Sequence, residues 1–314
     1  YNNVYKHTIC TDRYAFRISC NDKSKISKNI DFAFIGDSFT EGVGLNFEET
    51  FVGKFKNEKN YNQIINLGVS SYSPKIYYKK IEYLLNQGFK FKRVVIFLDV
   101  GDIFDENIYY LKKNDTVGKK NSLKSINIIY QNFNNFYKFK KILKTNFPIT
   151  FIFYNKVNKL KINLNKKNDN LNQKNREIFK NNFLINSRWT FANKFSENDQ
   201  VWINKGKEEA VFFMDKIYEL SKDNNFKFSL AVYPWPSQIL HDQDTARGTF
   251  GKYWENYCKN KCEYFINYLE YFHQLKKDMK KDQIVKLYYL RDDVHFNEKG
   301  NNLIFQKLID IKKF

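Results

Sequence analysis

The stretch IDFAFIGDSFTEG, residues 30–42, decides the fold. It opens as a short apolar run from Ile30 to Ile35 and stops at Gly36, with a small polar turn behind it. A run of this length, closed by a glycine and too short for a helix, is expected to be a buried strand. A helix is expected soon after, near FEETFVGKF at 47–55.

The same rhythm recurs further along the chain. QIINL (63–67) is a second apolar run ending at a glycine, Gly68. Ser73-Pro74 then predicts a helix start, with Ser73 as N-cap, Pro74 in the first turn, Ile81, Leu84 and Leu85 on the apolar face, and Gly88 at the close. VVIFL (94–98) reads as the third strand and FKFSLAV (226–232) as the fourth. Ile284–Leu290 is predicted as a fifth. An amphipathic helix is expected over Lys207–Ser221, and a last one through Leu303, Ile304, Phe305 and Leu308. Short buried strands alternating with helices indicate an α/β fold, three layers deep, with a central parallel sheet covered on both faces. Residues 30–110 and 205–314 carry that rhythm and form the expected main domain. Residues 111–204 break it and read as an insertion or cap, and residues 1–29 as a hairpin-like extension.

With 314 residues, 42% hydrophobic, the chain is long enough to bury a real core. It has no apolar run of eighteen residues, so no membrane-spanning helix is expected. The net charge of +19 is uneven: residues 111–190 hold 18 Lys and Arg against Asp115, Asp169 and Glu177, or +15 of the total. The same segment holds 18 Asn, and this Lys/Asn enrichment reads as drift toward AT-rich codons on solvent-facing positions. No nucleic-acid-binding signature accompanies the charge, so no nucleic-acid partner is expected. The four cysteines form two close pairs, Cys10 with Cys20 and Cys258 with Cys262. Neither pair has C-x-x-C spacing and the four histidines are scattered, so no zinc site is expected. Two local disulfides in an exported protein, periplasmic or extracellular, explain the even count, with any anchoring segment lying outside this chain. The second pair is the weaker expectation, since an i, i+4 bridge requires a departure from helix geometry.

In such a sheet the chemistry gathers beyond the carboxyl ends of the strands. Ser38 stands there, after the first strand, where a tight glycine-preceded turn presents a hydroxyl outward beside backbone N–H groups. Gly68 follows the second strand and would let its N–H approach a substrate oxygen. Asp292 and His295, in RDDVHFNEKG, can turn toward one point, the acid steadying the imidazole that deprotonates Ser38. Trp235 and Gln238, after the fourth strand, suit the apolar face and hydroxyls of a sugar ring, though core packing explains Trp235 equally well. Trp189 and Trp202 either line the cleft or pin the cap. His7, His241 and His273 have no motif around them.

FIGDSFTEG, the glycine of INLGVSSYS and DDVHFNEKG resemble the first, second and last conserved blocks of the SGNH/GDSL hydrolase superfamily, in order, across about residues 30–105 and 285–310. The resemblance implies a flavodoxin-like sheet, no metal or other cofactor, and hydrolysis or transfer of acyl groups on alcohols, often sugars. It assigns Ser38, Asp292 and His295 as the triad and the Ser38 and Gly68 N–H groups as oxyanion donors. One block departs: where the family has Gly-x-Asn-Asp, this chain has Asp99-Val100-Gly101-Asp102, so Gly101 occupies the position of the missing Asn donor. That departure points to a divergent branch resembling polysaccharide O-acetyl esterases and acetyltransferases. The expected substrate is a carbohydrate or polysaccharide ester, with a membrane-bound acyl-donor partner where the reaction is transfer. The rival expectation is a carbohydrate-binding protein on a catalytically weakened scaffold. The acids Asp99, Asp102, Asp105 and Glu106 are expected to cap loops and helices rather than hold a cation.

Overall fold

A computed structural model describes residues 6–22, 26–59, 63–108, 110–113, 116–119, 187–191, 197–241 and 249–311. Two compact units are distinguished, Tyr1–Asn107 with Phe183–Phe314, and Ile108–Asn182. In the second, the described residues form a hairpin of β6 (Tyr110–Lys113) and β7 (Thr116–Lys119). The rest of the expected 111–204 cap up to residue 186, and residues 192–196, lie outside the described residues.

The first unit is built on a seven-stranded sheet. Its parallel part comprises β3 (Asn29–Ile35), β4 (Ile64–Asn66), β5 (Lys90–Leu98), β8 (Lys227–Val232) and β9 (Phe265–Asn267), in spatial order β4-β3-β5-β8-β9. Taken alone, that is the flavodoxin-like order 2-1-3-4-5, whose reversal falls between β3 and β5. Two short strands, β1 (Cys10–Thr11) and β2 (Arg17–Ile18), extend the β4 edge in antiparallel fashion. β3 is buried from Ile30 onward and β5 from Val94 to Leu98, as strands covered on both faces must be. Phe34, Phe51, Phe55 and Phe97 meet there edge-on or tilted, with centroids 4.6–6.2 Å apart. Burying each such ring contributes roughly 1.5–3 kcal/mol.

Helices α1 (Ser38–Glu41), α2 (Phe51–Glu58), α3 (Pro74–Asn86), α4 (Val100–Ile108) and α5 (Glu197–Asp223) follow the first strands. After β8 come α6 (Pro236–His241), α7 (Thr249–Cys258), α8 (Tyr268–Leu275), α9 (Lys281–Tyr288) and α10 (Glu298–Ile309). The predicted Lys207–Ser221 helix lies inside α5, with Ala210, Met214, Ile217 and Ser221 buried on one face. α3 begins at Pro74 as expected, but Ser73 does not cap it with its own side chain. Ser73 Oγ instead donates to Glu106 Oε1 at 2.9 Å, and the same oxygen accepts the Lys75 N–H, so Glu106 caps the helix from α4.

One expected element is corrected. Ile284–Leu290 is not a strand; most of it belongs to α9, with Ile284 buried and Asp282 and Lys286 paired at i, i+4 across 3.5 Å on the outer face. Gln283 Oε1 takes the Lys280 N–H at 3.1 Å and starts the helix. The fifth parallel strand is β9, only three residues long.

Both cysteine pairs are bridged. α7 ends at Cys258, so Cys262 lies past the helix, in a turn whose Lys261 and Cys262 N–H groups return to Cys258 O. That departure from helix permits the i, i+4 bridge.

Candidate active site

The first turn after β3 places Ser38 at the start of a one-turn helix. Asp37 caps that helix, its Oδ1 accepting the Phe39 N–H at 3.0 Å and the Tyr233 hydroxyl at 2.9 Å. Gly36 is forced by closeness, since a Cβ there would lie 2.2 Å from Thr40 Oγ1. The N–H of Ser38, at the first helical position, has no acceptor within the helix.

A helix of four residues cannot satisfy its last carbonyls, and neighbouring side chains do so. Asn66 Nδ2, from β4, donates to Thr40 O at 2.7 Å. Arg17, from β2, donates from Nη1 to Glu41 O and from Nη2 to Leu45 O.

The partner of Ser38 arrives from the other end of the chain. His295 Nε2 lies 2.7 Å from Ser38 Oγ, and His295 Nδ1 lies 2.5 Å from Asp293 Oδ1. The imidazole packs against Phe39 with ring centroids 4.9 Å apart, and Phe39 in turn rests on Tyr233 and Phe296. The loop is tied at both ends: Leu290 N–H donates to His295 O at 2.8 Å, and Tyr289 bridges to Phe296. Asn297 caps α10 through Gly300 N–H and donates to Leu287 O and Tyr289 O at 2.9 and 3.1 Å, joining the end of α9 to the start of α10.

The expectations for Asp292, Gly68, Gly101 and Gln238 are corrected here, and of the two readings of Trp235 the packing one holds. The acid on His295 is Asp293, not Asp292. Asp292 has a left-handed backbone, φ 58°, and its carboxylate lies 3.7 Å from Arg291 Nε. That reversal of the chain brings the next residue, with a side chain only 1% exposed, under the imidazole. Gly68 N–H is engaged by Asn66 Oδ1 at 2.8 Å, so it is not an open oxyanion donor. What its lack of a side chain allows is close packing: a Cβ would stand 2.3 Å from Glu41 N. Gly101 N–H is likewise engaged, by Asp99 Oδ1 at 2.6 Å, and the space a side chain would take there is filled by the indole of Trp235, 2.8 Å from the ideal Cβ. Trp235 and Gln238 are buried rather than presented to a sugar. The indole N–H of Trp235 donates to Asp99 Oδ2 at 2.7 Å, and Gln238 Oε1 accepts the Trp235 N–H at 2.9 Å.

Trp189 packs edge-on against Phe250, with Lys207 Nζ 4.5 Å from its ring centre, inside the first unit. The Trp202 side chain lies outside the described residues.

Beneath the site lies a row of buried acids. Asp99 N–H donates to Asp102 Oδ2 at 2.7 Å and Asp102 N–H to Asp99 Oδ1 at 3.3 Å, while Tyr77 hydroxyl donates to Asp102 Oδ1 at 2.6 Å. These acids therefore cap the start of α4. Burial pushes the Asp99 and Asp102 carboxyls well above the usual range, with neighbouring carboxylates adding to the rise. Burial also raises Asp37, against the opposing pull of its hydrogen bond from Phe39 and of His295. Among the described residues no group of three or more His, Cys, Asp or Glu side chains is arranged to hold a metal ion.

Sequence reasoning passed over Asp293, Asn66, Tyr233 and Arg17. For Asp293 the resemblance to D-x-x-H overrode an equally acidic neighbour. Tyr233 and Asn66 carry a usable signal, since each stands at the carboxyl end of a parallel strand. Arg17 carries none, because its strand is two residues long.

No protein-family model matches the chain, and no curated protein matches it. Among solved structures it is similar to a lipolytic protein of the G-D-S-L family from Veillonella parvula, at 10% identity and TM-score 0.45, covering 90% of this chain and 98% of that one. A putative lipolytic protein of the same family from Desulfitobacterium hafniense is similar at 14% identity and TM-score 0.41, over 90% of this chain and 98% of that one. The acetylxylan esterase Axe2 from Geobacillus stearothermophilus is similar at 10% identity and TM-score 0.46, over 91% of this chain and 94% of that one. At such values the functional reading rests on the site itself.

Proposed function

We propose that this protein is a serine-dependent acyl-ester hydrolase or O-acyltransferase that works through an acyl-enzyme on Ser38. The observation that carries the reading is the unbroken line Ser38 Oγ, His295 Nε2, His295 Nδ1, Asp293 Oδ1, with contacts of 2.7 and 2.5 Å. Ser38 Oγ attacks the ester carbonyl carbon as its proton passes to His295 Nε2. Asp293 holds the imidazole in the tautomer with the proton on Nδ1 and stabilises the imidazolium. The carbon–oxygen bond to the leaving alcohol then breaks, and the alcohol takes the proton from Nε2. Water or a second hydroxyl repeats the sequence in reverse and frees Ser38. The oxyanion has the Ser38 N–H as its backbone donor, because the Gly68 and Gly101 amides are bound internally.

Acetyl is the proposed acyl group and a carbohydrate or polysaccharide the proposed alcohol, with a membrane-bound donor partner in the case of transfer. The departure at Gly101 from the Gly-x-Asn-Asp block supports this branch. Residence in an exported, oxidising compartment is proposed as well. Two disulfides support it, and among the described residues no helix is long and apolar enough to cross a membrane. A second reading, a carbohydrate-binding protein with weak or no catalysis, is favoured by the two engaged amides alone.

The test is incubation with an aryl acetate, with and without an oligosaccharide acceptor, alongside labelling by a fluorophosphonate. Release of the aryl alcohol with Ser38 labelled is expected. Acylated sugar identifies transfer. Absence of both turnover and label sinks the enzyme reading and leaves the binding one.

A further inference from the structure

The nucleophile turn is held from outside the parallel sheet. After α1 the chain passes through Gly42 and Gly44, both left-handed at φ 80° and 89°. Such a segment has few conformational constraints of its own. Ser38 O accepts the N–H groups of Gly42 and Val43 at 2.9 and 3.1 Å, so any shift of this segment is transmitted directly to Ser38. The guanidinium of Arg17, 2% exposed, holds both ends of the segment by forking between Glu41 O and Leu45 O, while Gly44 N–H reaches His7 Nε2 at 3.4 Å and the Glu41 carboxylate takes the Ser70 N–H at 3.0 Å. Arg17 pairs across the ladder with Asn66, the residue that holds Thr40 O. Two neighbouring side chains thus take the carbonyls of α1 and of the turn behind it.

The strand that delivers Arg17 is weakly built by itself. β2 has two residues and meets β4 at the single pair Arg17 and Asn66. It is secured by its pairs with β1, by the Asp12 carboxylate that accepts the Tyr14 and Phe16 N–H groups, by Phe16, fully buried against Phe89 with centroids 5.7 Å apart, and by the Cys10–Cys20 disulfide that closes the hairpin. We propose that Arg17 is a positioning residue for Ser38, supplied by the disulfide-closed N-terminal hairpin, whose bond keeps the guanidinium fork on Glu41 O and Leu45 O. This rests on the reading of Ser38 as the nucleophile.

The fork is specific to arginine. A lysine ammonium puts its three donors on one nitrogen and cannot reproduce the rigid two-nitrogen fork that spans the two carbonyls. A buried carbonyl without a donor costs enough to open the turn.

The experiment compares wild type, Arg17→Lys and the double variant Cys10→Ser with Cys20→Ser. It reads Ser38 labelling by a fluorophosphonate, kcat and KM on an aryl acetate, and hydrogen exchange over 38–45 and over 94–98. Arg17→Lys is expected to lower kcat and labelling about tenfold or more with KM little changed, because a small misplacement of the nucleophile acts on the chemical step. Exchange over 38–45 should accelerate while 94–98 stays protected, and the cysteine variant should move the same way. Labelling and exchange within about twofold of wild type in Arg17→Lys would overturn the proposal. Equal loosening of 94–98 would too, since that is loss of fold rather than of position. If Arg17→Lys does not fold, the cysteine variant decides by the same criteria. Wild type that is never labelled at Ser38, with exchange still loosened at 38–45 in Arg17→Lys, defeats the nucleophile reading and leaves the placement of Arg17 standing.

Discussion

Asp293 and His295 sit two residues apart in one loop, yet their side chains face each other, Oδ1 to Nδ1 at 2.5 Å, and Asp293 Oδ1 also takes the His295 backbone N–H at 3.0 Å. One carboxylate therefore fixes both the ring and the peptide that carries it. Asp293→Asn should lower kcat by several orders of magnitude, about 10⁴ where the analogous carboxylate of another enzyme was replaced, with the fold retained. Asp292→Asn should stay within a few-fold of wild type. Steady-state kinetics on an aryl acetate separates the two, and the reverse ranking would return the role to Asp292.

Ser38→Ala should abolish turnover without loss of structure, since on this half-buried turn it removes the hydroxyl's contacts to His295 Nε2 and, at 3.3 Å, to Asp37 Oδ2 but keeps the cap that Asp37 Oδ1 makes with the Phe39 N–H. His295→Ala should come close to the same loss. Groups that act as a unit are non-additive, so the double variant should be little worse than either alone. Circular dichroism and turnover on the three proteins check this.

Gly101→Asn would restore the side chain that the resemblance finds missing, and it should nonetheless fail. The backbone allows it, because Gly101 is not at positive φ, but the new Cβ meets Trp235 at 2.8 Å and Asp99 Oδ1 at 2.9 Å. Overpacking of this kind costs roughly 1–3 kcal/mol. A lower urea midpoint with no gain in turnover is expected. Pairing the change with Trp235→Leu, which clears the space, should recover part of the midpoint.

Glu106 makes stability depend on pH. Burial raises its carboxyl to about 7 in the folded protein from an ordinary 4.5, against its hydrogen bonds from Lys75 and Ser73. Between those values the folded state holds a proton that the unfolded state has released, so this group's contribution falls as pH rises from 4.5 to 7. The full effect is on the order of 3 kcal/mol. Glu106→Gln keeps Oε1 as acceptor for both partners and removes the charge. It should be more stable than wild type at pH 8 and lose that advantage by pH 4. Urea unfolding at the two values is the measurement, and an advantage that does not depend on pH would refute it.

Most of the fold was legible because the decisive strands are short apolar runs, two of them ended by glycine, and α3 and α10 start or pack by rules a sequence displays. Ile284–Leu290 misled because Ile284, Val285, Leu287 and Tyr288 fit either a short buried strand or one face of a two-turn helix. β9 stayed hidden because three residues carry no periodicity. In the site, Ser38 and His295 announced themselves through their positions after strands and before the last helix. Which of two adjacent acids meets the imidazole is fixed by the left-handed φ of Asp292, which residue identity alone does not reveal. Nor does it reveal whether the Gly68 and Gly101 amides are open, since the groups that occupy them are a strand-end asparagine and a carboxylate two residues away.

The sheet ends on strands of two residues at one side, β1, and three at the other, β9. A row of unpaired amides and carbonyls is a template for a second chain to add to, and its hold grows with its length. Among the described residues neither border offers more than a token ladder; β1 carries one end of a covalent cross-link, Cys10–Cys20, and β9 is preceded in the chain by another, Cys258–Cys262. The protein is thereby guarded against strand-by-strand polymerisation at both margins, and a chain with either bridge cut should be the one that clumps on mild heating.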